Sequence, residues 1–132
     1  MSIRSNEYFR IVYARPRKGS RRRLGILHDS RRRAGNTDEV DAIYRWMGRH
    51  LPVPPSEAFS ADRALCWFTV EARDCIERIR HLAFLLERRG ERLWQIYSRN
   101  PGLITYRDDY QVVAVPEDAL RRFGREAGGS LE

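Results

Sequence analysis

Lysine is nearly absent from this chain: Lys18 is the only one among 25 basic residues. The preference for arginine is uniform, so it says nothing by itself about function. Cysteine is scarce as well. Cys66 and Cys75 lack the close spacing of a zinc knuckle or a redox pair and are expected to be buried free thiols. The three histidines, His28, His50 and His81, lie far apart, and none has metal-ligand spacing with another donor, so no metal site is expected. No cofactor motif is present: the glycines of "GSRRRLG" lack both the spacing of a phosphate loop and a following helix. Ser30, Ser60 and Ser98 lack the glycine-flanked setting of a nucleophile. RRM, KH and zinc-finger signatures are missing too. No apolar run approaches the roughly 18 residues of a membrane span, and no charged-then-apolar leader is evident. A cytoplasmic location is the resulting expectation.

Composition is that of a folded protein, with 42% hydrophobic and 33% charged residues. The length suits one domain, expected over residues 1–127, and the closing "GGSLE" (128–132) reads as a linker and cloning remnant. The formal net charge is +7. Nine of the nineteen residues from Arg15 to Arg33 are basic, and Asp29 alone opposes them. The rest of the chain carries 16 basic against 17 acidic residues. The excess positive charge therefore sits in one segment.

"YFRIVYA" (8–14) alternates as a strand does, and "RLGILHD" (23–29) reads as its return strand, weakened by Gly25. Pro16 and Gly19 between them suit a turn. The expectation is an N-terminal hairpin with a basic tip, followed by the triplet Arg31 to Arg33. "GNTDEVDAIYRWMGRHLP" predicts a helix, with Asn36 or Thr37 as its cap and Val40, Ile43, Tyr44, Met47 and Leu51 on one face. "PVPP" stops it. "ALCWFTV" (64–70) predicts a buried strand. "EARDCIERIRHLAFLLERRG" predicts the principal helix, with an unbroken stripe from Ala72 to Leu86. Burial of that stripe stabilises by roughly 1.5–3 kcal/mol per large side chain before entropy is subtracted. Strands at 93–98, 103–107 and 110–115 predict a C-terminal meander, with Asn100-Pro101-Gly102 as a type II turn and a further helical turn after Pro116. The fold class is α+β: a mainly antiparallel sheet packed by two main helices.

The basic segment points to phosphate recognition, because guanidinium groups present forked donors to phosphate oxygens. Arg15, Arg17, Lys18, Arg21, Arg22, Arg23, Arg31, Arg32 and Arg33 are the candidate contacts to RNA or DNA. Tyr8, Phe9 and Tyr13 on the adjoining strand would favour unpaired bases if any faces outward. A solvated loop, or a surface for an acidic protein partner in a protein-binding inhibitor or regulator, fits the same charge. His28, beside Asp29 and the triplet, is the one catalytic candidate. It would act as general base in a small metal-independent ribonuclease, with arginines stabilising the phosphate. Neighbouring residues on a strand point to opposite faces, which weighs against that role and against any shared function for Asp108 and Asp109.

Overall fold

The computed structural model describes residues 7–16, 23–61 and 63–117. Their elements are β1 (Tyr8–Tyr13), α1 (Ser30–Ala34), α2 (Asp38–His50), a 3₁₀ turn (Ser56–Phe59), β2 (Leu65–Thr69), α3 (Arg73–Arg88), β3 (Leu93–Ser98), β4 (Leu103–Arg107) and β5 (Gln111–Val115). The strands form one five-stranded sheet in the order β3-β1-β2-β5-β4, antiparallel throughout. With α2 and α3 packed on it, the molecule is an α+β fold.

Helix and strand form where their apolar periods match a face to bury. Thr37 caps α2, its hydroxyl accepting from the Val40 N–H at 3.3 Å, with Asp38, Glu39 and Asp41 in the positive first turn. Val40, Ile43 and Met47 turn inward. The α3 stripe of Cys75, Ile76, Ile79, Leu82, Ala83 and Leu86 is buried along its length. It ends in a Schellman turn: the Gly90 N–H reaches Glu87 O, the Glu91 N–H reaches Leu86 O, and Gly90 takes a left-handed φ of 93°. Both helices cover the face of β1 that carries Phe9, Ile11 and Tyr13, together with Phe68 of β2.

The strand pairing departs from the sequence expectation in two places. Among the described residues the return of the N-terminal hairpin is reduced to a single antiparallel bridge, Val12 to Gly25, with Tyr13 N–H on Leu24 O and Ile26 N–H on Ile11 O. The first residues of β1 pair instead with β2, and its whole length pairs with β3. The expected C-terminal meander likewise keeps only its β4–β5 hairpin. β3 lies at the far edge, because β1 is buried on both faces and needs a partner on each side.

The sheet is strongly curled. Residues 99–102 carry the chain from Ser98 at one edge to Leu103 at the other. Five Cα steps span at most about 19 Å, which a flat sheet with strands spaced about 4.8 Å would consume entirely. Curling also buries the face without helices. Tyr8, Trp67, Val112 and Ala114 form a second core there, and Ile96 of one edge and Ile104 of the other both pack on it. Gly102 sits at the crossing with φ 118°, where a Cβ would collide with the Val115 carbonyl. No helix among the described residues is long and apolar enough to cross a membrane.

Candidate anion-binding site

Asp29 adopts a left-handed conformation (φ 61°) and turns the chain out of the Gly25 bridge into α1. Ser30 and Ala34, one helical turn apart, are buried; the Ser30 hydroxyl meets the Tyr44 hydroxyl and the Leu27 carbonyl. Arg31, Arg32 and Arg33 thus lie in a five-residue helix rather than a loop.

Each of the three already faces a carboxylate of its own chain. Arg31 reaches Asp41 at 3.4 Å and lies over the Tyr44 ring. The Arg32 Nε donates to both Asp29 oxygens at 3.0 Å. Arg33 sits between Asp29 (3.7 Å) and Glu91 (3.5 Å), with its guanidinium 4.1 Å above the Tyr13 ring. The hydrogen bond from Arg32, with Arg33 and His28 nearby, holds the Asp29 carboxyl below its ordinary range. His28 is exposed. Its carbonyl accepts from the Tyr13 hydroxyl at 3.1 Å. Asp29 is committed to Arg32 and Ser30 to Tyr44, so neither orients the imidazole.

A different set of arginines shares a cavity. It holds about 520 Å³ and opens where the end of β1 meets the turn after α3, lined by Tyr13, Arg15, Pro16, Leu24, Arg33, Arg89, Gly90, Glu91 and Arg92. The chain is tied there by the Ala14 N–H on Arg92 O. Among the described residues Glu91 is the only acid in the lining, and Arg33 engages it. Among the described residues no carboxylate lies within ion-pair distance of Arg15, Arg89 or Arg92. The cavity is therefore electropositive. Burial pushes the Tyr13 phenol up to about 12, against the lowering effect of Arg33, so it stays neutral and shares its one proton between Ile26 O and His28 O.

Of the residues singled out in the sequence, Arg15 lines this cavity and Arg23 lies close by. The Arg23 Nε donates to Ala14 O at 3.0 Å, and its guanidinium covers Trp94 at 4.1 Å. Arg17, Lys18, Arg21 and Arg22 lie outside the described residues. The segment holding them leaves from Pro16 at the cavity lining and returns at Arg23. Arg89 and Arg92 were not legible as partners of Arg15: Arg89 reads as an ordinary charge at a helix C-terminus. The signal available was the basic run "RRGER" (88–92), which brackets the helix-ending Gly90.

A second polar cluster holds the β4–β5 turn. Gln111 is buried; its amide donates to Pro52 O (2.6 Å) and Asp108 Oδ2 (3.1 Å), and its carbonyl accepts from Cys66 Sγ (3.1 Å). Tyr106 donates to Asp108 at 2.7 Å. Burial raises the Asp108 carboxyl, but hydrogen bonds from the Tyr110 N–H, Gln111 and Tyr106 outweigh it and leave the group below its usual range. Burial pushes the Cys66 thiol up to about 11. A thiol held neutral and donating its proton to an amide is suited to packing rather than to nucleophilic attack. Cys75 is buried in the helix-side core, and its thiol is likewise raised to about 11. The described residues contain no group of three potential metal ligands.

No protein-family model, curated protein or solved structure matches this chain.

Proposed function

We propose that this protein is a non-enzymatic module that binds the phosphate backbone of RNA or DNA, with Arg15, Arg89 and Arg92 around the cavity as its centre. The reading rests on one observation: three arginines converge on a single hollow whose one acid is already engaged by a fourth. Forked donors without acidic partners are suited to phosphate oxygens. Arg23, beside the lining, extends the surface; Arg17, Lys18, Arg21 and Arg22, outside the described residues, are kept as contacts on their sequence alone, whereas Arg31, Arg32 and Arg33 are engaged by carboxylates of the chain.

Fluorescence polarisation with labelled single-stranded RNA and duplex DNA at several salt concentrations tests this. Binding should weaken steeply with salt. The double variant Arg89→Ala/Arg92→Ala should bind at least about 10-fold more weakly, with a salt slope shallower by about one for each phosphate it no longer neutralises. Arg31→Ala should change affinity little. An Arg89→Ala/Arg92→Ala variant that binds as the parent does, or a parent that binds neither polymer at low salt, overturns the reading.

A further inference from the structure

Among the described residues the two edges of the sheet are finished differently. β4 carries a bulge between Ile104 and Tyr106, and the Thr105 hydroxyl donates to Ala58 O of the 3₁₀ turn at 2.8 Å, so that edge is kinked and covered. β3 pairs with β1 in unbroken register from Tyr8↔Ser98 to Tyr13↔Leu93. Its sequence, Leu-Trp-Gln-Ile-Tyr-Ser, has no charge, proline or bulge. Protein edges are ordinarily blunted by such devices or paired. From the contrast we infer that β3 is the seam of a homodimer, in which two copies pair antiparallel about a two-fold axis centred on Gln95.

The backbone fixes which residues are available. The Ala14 N–H bonds to Arg92 O, and in an antiparallel ladder the bonded residues alternate. Arg92, Trp94, Ile96 and Ser98 therefore turn their peptide groups toward β1, while Leu93, Gln95 and Tyr97 turn theirs outward. Pairing centred on Gln95 engages all three from each copy. It sets Leu93 opposite Tyr97 of the second copy on the helix side, and Trp94 opposite Ile96 on the other side. Trp94 and Tyr97 are 49% and 50% exposed, so each gains an apolar cover. Glu91 and Arg99, which this register brings opposite one another, already pair within the chain with Arg33 (3.5 Å) and Glu7 (3.8 Å), so the match rests on the apolar pairs. Centring on Ile96 instead would place Trp94 against Ser98 and Tyr97 against Gln95, with no apolar partner for either aromatic. The seam is self-complementary, as an isologous interface requires.

Size-exclusion chromatography with light scattering should give twice the 15.6 kDa chain mass, falling toward one chain on dilution. Gln95 is exposed, so Gln95→Lys should leave the circular dichroism spectrum unchanged. It places two ammonium groups opposite one another and should weaken dimerisation at least about 10-fold. Gln95→Cys should form a disulfide-linked dimer on mild oxidation, since facing Cα atoms in a bonded antiparallel pair lie about 5.5 Å apart. Leu103→Cys at the other edge should not. A parent that remains monomeric at every concentration, a dimer indifferent to Gln95→Lys, or cross-linking through position 103 in place of 95 overturns the inference.

Discussion

Arginine covers aromatic rings repeatedly in this molecule. Besides Arg23, Arg31 and Arg33, Arg10 lies over Trp67, Arg78 over Trp46, Arg80 over Phe9, Arg88 over Phe84 and Arg107 over Tyr8. Strong pairs of this kind occur about once per 70–80 residues in proteins generally, so the rarity of lysine has a structural counterpart here. A planar guanidinium stacks where an ammonium cannot, and Arg33→Lys should cost about 1 kcal/mol in urea unfolding although the charge is kept. Thr69→Val tests the opposite case. The Thr69 hydroxyl is buried with no hydrogen-bond partner among the described residues, so a methyl in its place should leave stability unchanged or raise it by up to about 1 kcal/mol. Titration gives a third expectation. Cys66 and Cys75 are raised from 9.0 to about 11, and Tyr13 from 10.0 to about 12. Above pH 9 the unfolded chain releases these protons first. Stability is thus full below pH 9 and falls progressively as pH rises through 11 and 12. Urea midpoints measured from pH 8 upward should show that decline, with the alkaline end flattened in Tyr13→Phe.

At the scale of elements, Thr37→Ala should destabilise by about 1 kcal/mol through loss of the α2 cap. Gly102→Ala should cost more, about 2 kcal/mol or above, because the new Cβ meets both a left-handed φ and the Val115 carbonyl. Thermal melts of the two variants rank these effects. The helices that matter were readable from sequence because their apolar stripes and terminating residues agree, as at Ala72 to Gly90. β3 and β4 were readable to their end residues for the same reason: period and turn coincide at Asn100 to Gly102. Their pairing was not. Adjacent strands are read as neighbours, and nothing local in "LWQIYS" says that its partner is "YFRIVY" some 80 residues earlier. α1 carries little signal in the sequence because its buried contribution is only Ser30 and Ala34, set among arginines. The candidate cavity was half legible. Arg15 belongs to a visible charge cluster, but Arg89 and Arg92 join it only after α3 has folded back across the sheet.

At the scale of the molecule, positive charge is sorted by whether the fold supplies an acid. Asp29, Asp41 and Glu91 neutralise the α1 arginines, and among the described residues at this end Arg15, Arg89 and Arg92 of the cavity keep no acidic partner. Asp29→Asn should accordingly lower stability at neutral pH while leaving polymer affinity within about two-fold, a separation that parallel melts and polarisation titrations would detect. The order of the strands also has a temporal side. β1, the centre of the helix-covered sheet, is made long before its full-length partner: about 85 residues separate Tyr13 from Ser98. At roughly 5–20 residues per second, a strand largely buried on both faces waits some 4–17 s on the ribosome for its mate. That interval makes nascent β1 the segment with most to gain from a chaperone, and it ties the yield of native protein to translation speed ahead of Ser98.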